Sequence, residues 1–433
     1  MRRHRKYPLE NCRESKRKLL QWAQQFPEIC WLDSNEHISS YGSYEAILAV
    51  GEFSHIRGST FEKLQNYRQK TEDWIFGYLS YDLKNDLEKL NSNNFDGLHF
   101  PELHFFQPKK IFFLKNGNIE LKYLSQFENE MDSDLDEIFR TEIPSPESTI
   151  LPLNIHQRIS KSDYIQKADK MLQHIHLGNI YEANFCQEFY AENAEINPLE
   201  TFHRLNKISA PPFAAFLKLN DLFALCASPE RYLKRNGGQI ISQPIKGTAK
   251  RSANLKEDDR LAEILKSDPK EISENVMIVD LVRNDLSRTA KKGSIQVVEL
   301  CAVHTYKQVH QLVSSISSEV EKDTPSVEIL KTTFPMGSMT GAPKISAMEI
   351  IEDLEESKRG LYSGAIGYFT PEADFDFNVV IRSILYNSAH KYVSFSVGSA
   401  ITAKSIPEKE YEECLVKARA MRLALEPFSP KDE

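Results

Sequence analysis

Four glutamates stand in two pairs, three residues apart within each pair. Glu271 and Glu274 lie in KEISENVMIVDLVRNDLSR, Glu410 and Glu413 in PEKEYEECLVKARAMRLAL. On a helix, residues three or four apart share a face, so each pair presents two carboxylates side by side. Lys417, four residues beyond Glu413, joins the second face. Two such faces brought together would suit Mg2+, a hard cation that takes a few carboxylates, waters and an anionic ligand. By spacing alone two solvated helix surfaces are the more ordinary reading, because E-x-x-E is a weak signal. Lys246, in QPIKGTAKRS (residues 243–252), is placed differently. The chain reads as strand before it and turns sharply after it, at neither a solvated helix face nor a chain end.

FPMGSMTGAPKISAMEII (residues 334–351) runs a Gly/Ser/Thr-rich loop through Pro343, placed as a first helical residue, into an amphipathic helix. The free N–H groups at such a helix start suit a carboxylate or phosphate, although a plain capped turn reads the same way. Neither a Walker loop nor GxGxxG is present. Arg382, inside the apolar run VVIRSI, needs a carboxylate, either a bound one or a structural partner. Glu230 in ASPERYL is a raised-pKa acid or a turn carboxylate, and His310 in HQLVSSI a reactive or a core histidine. No G-x-S-x-G occurs, and Cys186 in NFCQEF lacks the glycine elbow of a glutaminase nucleophile.

These residues need a scaffold. The 433-residue chain is 41% hydrophobic and 27% charged, enough for a sizeable core and unlike a disordered chain. A net charge of −8 without a basic stripe argues against nucleic acid, and no stretch approaches the ~20 apolar residues of a membrane span. Six scattered cysteines without metal spacing imply reduced thiols and the cytoplasm. Residues 1–150 read as an N-terminal lobe of short strands and polar turns, with a strand at 74–83 and a hairpin turning at Asn116-Gly117. The proline-rich stretch 141–154 reads as a connection, and 155–427 as the catalytic domain. There a capping box at Ser160 and Asp163 starts a helix ending at Gly178. Further helices are predicted over 255–265, 271–290, 343–358 and 407–425, and strands over 362–369, 377–385 and 392–397. Hairpins dominate and β-α-β alternation is absent. The expected class is α+β, with mainly antiparallel sheets.

In order along the chain, GNIYEANFCQ, SPERYL, PIKGTAKR, ENVMIVDLVRNDLSR, HQLVSS, FPMGSMTGAPK, YSGAIGYF, IRSI and GSAITAKSIPEKEYEECLVKA resemble the chorismate-utilising family. That family includes anthranilate synthase component I, aminodeoxychorismate synthase component I, and the isochorismate and salicylate synthases. The resemblance runs from about Ser160 to Leu425 and implies two large antiparallel sheets packed as a sandwich with helices outside. It implies Mg2+ on Glu274 and Glu413, backed by Glu271 and Glu410, clamping the ring carboxylate of chorismate. It places Arg382, Tyr362, Gly398 and Ala400 on the carboxylates, and Ser338, Gly341, Thr248 and Lys417 around the pocket. Glu230 becomes a general acid and His310 a catalytic pocket histidine.

Within the family, PIKGT resembles the aminodeoxychorismate branch, where sister enzymes read AGT. There Lys246 would attack C2 of chorismate, and ammonia would displace it at C4. A nucleophilic lysine must be neutral, so its pKa is expected to fall. Glu182 in IYEAN stands where the water-activating members carry lysine, which argues against C2 hydroxylation. It also departs from the usual glutamine of the amino-transferring members. Ala400 replaces a usual glycine, Lys404 a common acidic residue, and WLDSN (residues 31–35) only faintly resembles a tryptophan-binding LLES stretch. Ammonia is expected from solution or a separate glutamine amidotransferase subunit. The competing readings are anthranilate synthase component I, opposed by Lys246, and a catalytically silent chorismate- or tryptophan-binding subunit, opposed by intact Glu230, Glu274 and Glu413.

Overall fold

The structure, a computed structural model, describes residues 1–9, 12–37, 40–145, 153–307 and 309–426. Of the expected connection, residues 146–152 lie outside the described residues. Period-two alternation builds the strands. In Glu28–Asp33, Cys30 enters an inner core while Ile29 and Trp31 enter an outer one. In Ala46–Gly58, Ile47 and Ala49 turn inward, Leu48 and Val50 outward.

The described strands are hydrogen-bonded into one continuous network, and each of the pairings below is antiparallel. The two expected sheets are therefore joined, at the long strand Leu103–Lys115, which pairs with both Ala46–Gly58 and Ile75–Leu79. One arm runs through Glu28–Asp33, Phe213–Leu219, Leu222–Ser228, Ser383–Asn387 and Tyr392–Thr402 to Glu182–Ala191. The other runs through Ala365–Phe369, Phe375–Asn378, Arg231–Asn236 and Gln239–Gln243 to Val309–Glu319. Leu217 and Ala224 from the first arm share a core with Phe76, Leu233 and Phe369 from the second. The helices Cys12–Trp22, Lys161–His176, Pro198–Ser209, Lys344–Leu354 and Pro407–Leu425 contribute apolar faces to the outer core. Strands from residues 1–150 and 155–427 interleave, since Ile75–Leu79 pairs with Ala365–Phe369 and Glu28–Asp33 with Phe213–Leu219.

Local signals and structure agree at the turns: Asn116 and Gly117 have φ of 51° and 67°, and Asn220 has 56°. Ser160 caps the helix Lys161–His176 by accepting from the Asp163 N–H at 3.1 Å. Three differences matter. Residues 1–140 also contain the helices Cys12–Trp22, Phe61–Thr71 and Met131–Arg140, ten or eleven residues each. Helices so short draw their stability from packing, here Leu19, Leu20 and Trp22 against the outer core, rather than from their own sequence. The strand expected over 377–385 is broken between Phe375–Asn378 and Ser383–Asn387. The helix expected from Pro343 opens at Lys344, with Pro343 as its N-cap. All six cysteines are free, and among the described residues no helix is long and apolar enough to cross a membrane.

Candidate active site

The helix Pro269–Ser287 begins where the Asp268 carboxylate accepts from the backbone N–H groups of Lys270 and Glu271, with Pro269 in the first turn. Its opening turns carry Glu271 and the buried Glu274. The helix Pro407–Leu425, also opened by proline, carries the buried Glu410 and the more exposed Glu413. The two faces meet. Lys270 Nζ lies 3.3 Å from Glu410 Oε1 on the other helix and 3.7 Å from Glu274 Oε1 on its own. Lys417 Nζ lies 2.6 Å from Glu413 Oε1 and donates to the Gly398 carbonyl at 2.9 Å. Ser399 donates to the other oxygen of Glu410.

Lys246 reaches this cluster from a bulge. Ile245–Lys250 pairs with Val309–Glu319, but the register shifts between Ile245 opposite Val313 and Thr248 opposite Gln311. The extra residue re-aims the strand. Gly247 has φ 90°, and a Cβ there would stand 3.0 Å from Glu271 Oε2, so the bulge presses on the carboxylate helix. Asn275 of that helix donates to the Lys246 carbonyl at 3.5 Å and to that of Leu312 at 3.2 Å.

Lys246 is not held neutral. Burial alone would push its ammonium down, but Glu182, Glu274, Glu230 and Glu413 together outweigh that and raise it. The expectation of a lowered lysine pKa is thereby corrected for the protein without ligands: four carboxylates face one ammonium. Glu182 is buried, its Oε2 has no hydrogen-bond partner, and desolvation, opposed by Lys246, raises its carboxyl. Glu274 is likewise buried with Oε1 lacking a hydrogen bond. Desolvation pushes it up to about 7 against the pull of Lys246 and Lys270. At Glu413 desolvation is outweighed by Lys417, and the carboxyl lies below its ordinary value.

Glu230 is buried and accepts from Ser338 Oγ at 2.6 Å, and desolvation raises it to about 7 despite that hydrogen bond and Lys246. A carboxyl still protonated near neutrality is a competent acid. If it acts as one, turnover falls as pH rises through about 7, because only the protonated form donates. Ser338→Ala removes a bond that favours the carboxylate, so it should move this limb to higher pH. A pH–rate profile of both proteins checks this, and an unmoved limb would detach Glu230 from it.

The Gly-rich loop packs beside these groups. Gly341 and Ala342 pair with Ala183 and Glu182, and a Cβ on Gly341 would stand 2.2 Å from the Glu182 carbonyl, so only glycine allows this approach. At the start of the helix beyond the loop, Lys344 Nζ pairs with Asp285. Arg382 sits in the strand break with φ 53°. Among the described residues its guanidinium forms no ion pair. Burial lowers its pKa, and Tyr362 and Glu413 oppose that. Tyr362 is buried with its hydroxyl 3.7 Å from Cys186 Sγ. Ala400 is opposite Asn184, and Gly398 opposite Cys186.

Two predicted site residues stand differently. His310 is buried with Nε2 3.1 Å from Asp258 Oδ1 and Nδ1 3.0 Å from Thr305 Oγ1, so both ring nitrogens are engaged outside the carboxylate cluster. Thr248 is exposed on its strand. Burial pushes the Cys186 thiol up to about 12, so it is no thiolate nucleophile. Lys270 went unread in the sequence, although its i,i+4 spacing to Glu274 was a signal. Asp258, 52 residues from His310, left none.

Among the described residues no three His, Cys, Asp or Glu side chains already form a metal site. The donors nonetheless fit a hard cation: carboxylate oxygens from two helices, one of them buried without a hydrogen bond. Mg2+ typically takes one or two protein carboxylates and completes its shell with water and substrate.

Comparison with known proteins gives the family of the chain. Residues 14–423 match the family described as chorismate binding enzyme, a match that takes in the N-terminal stretch as well. Anthranilate synthase component 1 of Acetivibrio thermocellus is 34% identical over 371 residues, 81% of this chain and 74% of that protein. Aminodeoxychorismate synthase component 1 of Bacillus subtilis (strain 168) is 32% identical over 362 residues, 81% of this chain and 76% of its own length. The crystal structure of anthranilate synthase component I from Streptococcus pneumoniae TIGR4 superimposes with a TM-score of 0.77 at 25% identity, covering 89% of this chain and 94% of the other. The relatives' names divide between two reactions, but the family is common to both: the chain belongs to the chorismate-binding enzymes and acts on chorismate.

Proposed function

We propose that the protein is an aminodeoxychorismate synthase component I, converting chorismate and ammonia to 4-amino-4-deoxychorismate, the precursor of p-aminobenzoate and folate. The observation that carries this reading is Lys246, set on a bulge among four carboxyl groups, one of them Glu230, which burial raises to about 7. The unpaired Arg382 guanidinium and the Tyr362 hydroxyl hold a substrate carboxylate. Mg2+ on Glu274 and Glu413 would fix the ring carboxylate and cancel negative charge beside Lys246.

Once Lys246 has lost its proton to solvent, its neutral amine forms a bond to C2, the ring double bond shifts, and the C4–oxygen bond breaks. Glu230 gives its proton to the departing hydroxyl, which leaves as water. Ammonia then forms a bond to C4, the double bond shifts back, and the C2–nitrogen bond to Lys246 breaks. The surplus proton on the new amine returns to Glu230, which restores acid and nucleophile together. Each displacement is easier than direct exchange at C4.

Ammonia comes from solution or from a separate glutamine amidotransferase subunit. The test is product analysis with chorismate, Mg2+ and ammonium: 4-amino-4-deoxychorismate is expected, and glutamine supports turnover only when a glutaminase is added. Anthranilate as the main product would move the protein to the sister reaction. Glutamine-dependent turnover by the chain alone would remove the partner.

A further inference from the structure

Lys270 is a charge in the carboxylate cluster that no step of the reaction uses. Its side chain is 39% exposed, whereas those of its partners Glu274 and Glu410 are 9% and 3% exposed. Buried carboxylates without compensating charge are costly, and here a lysine from the solvent side supplies it. A lysine head is a compact point charge on a flexible four-carbon stem, so it can enter such a cluster and leave it again. Lys417 is held differently, by the Gly398 carbonyl as well as Glu413. Lys270 donates to Glu410, while Glu274 Oε1, 3.7 Å away and buried, is left without a hydrogen bond.

We propose that Lys270 is a built-in placeholder for the divalent cation. Its ammonium compensates the carboxylates of the two helices when no cation is bound, and must swing toward solvent for one to enter. A divalent ion on Glu274 Oε1 and the Lys270 ammonium 3.7 Å from that oxygen compete for the same place, because like charges a few ångströms apart repel in a partly buried site. Lys270 therefore weakens cation binding in the absence of substrate and keeps the two carboxylate faces together meanwhile. The inference rests on the cation-binding reading above.

The test uses Mn2+ as the probe, titrated into the full chain without chorismate and followed by electron paramagnetic resonance. Lys270→Met should bind Mn2+ about tenfold more tightly than the wild type, a difference of about 1.4 kcal/mol. Lys270→Gln, which keeps a polar head, should do the same and guards against a folding defect in the first variant. Lys270→Arg, still charged, should bind no more tightly than the wild type. Lys409→Met, which removes an exposed charge from the helix Pro407–Leu425, should leave the affinity unchanged and controls for net charge. Equal or weaker Mn2+ binding by both neutral variants would overturn the placeholder role while wild-type binding preserved the metal reading. No Mn2+ binding by any of the proteins would overturn both.

Discussion

Lys246→Ala should lower kcat about 10^3-fold, roughly 4 kcal/mol of transition-state stabilisation, while KM for chorismate changes little. Arg382, Tyr362 and the carboxylate cluster remain, so substrate still binds, and the loss falls on a group needed only in the reaction. The variant also removes an ammonium that acts on all of Glu182, Glu230, Glu274 and Glu413. Its loss raises the cost of ionising those carboxyls, so their pKa values climb further. The Glu230 limb of the pH profile should accordingly move to higher pH in whatever activity survives. Ammonia is small enough to replace the missing amine and attack C2, so the residual product should shift toward the anthranilate precursor. Mass spectrometry of wild-type protein quenched during turnover should find a chorismate-derived adduct on the peptide containing Lys246. An alanine variant that makes 4-amino-4-deoxychorismate at the wild-type rate would make Lys246 a bystander.

Glu274→Ala should lower kcat/KM at least about 10^2-fold, because it removes a carboxylate the cation needs and no neighbouring side chain takes its place. Glu412→Ala, one residue from Glu413 but exposed on another face of its helix, should change activity less than about twofold. The pH dependence has a definite sign. With Glu274 raised to about 7, protons compete with the cation below that value, so more Mg2+ should be needed to saturate activity as pH falls from 8 to 6. Mg2+ titrations of both variants at fixed chorismate, with circular dichroism to confirm the fold, provide the check. Near wild-type turnover in the Glu274 variant would remove the helix Pro269–Ser287 from the metal site.

The sequence by itself determined what depends on neighbours along the chain. The carboxylate faces were legible because Glu271 with Glu274, and Glu410 with Glu413, are fixed by helical periodicity once their helices form. Helix starts at Ser160 and Pro407, and turns at Asn116 and Asn220, were legible because capping and left-handed backbone are properties of a few adjacent residues. The antiparallel α+β class followed from hairpins. Tertiary structure decided everything that joins distant segments. The Ser338–Glu230 hydrogen bond crosses 108 residues and the Lys270–Glu410 bond 140, and neither leaves a periodic trace. The positive φ of Arg382, which breaks an apparently continuous apolar strand, answers to packing and not to local propensity. Lys246 was conspicuous in the sequence, but its charge state was not readable there. A pKa is set by the field of all the groups around it, and three of the four carboxylates that hold this ammonium charged, Glu182, Glu274 and Glu413, arrive from other elements more than twenty-five residues away.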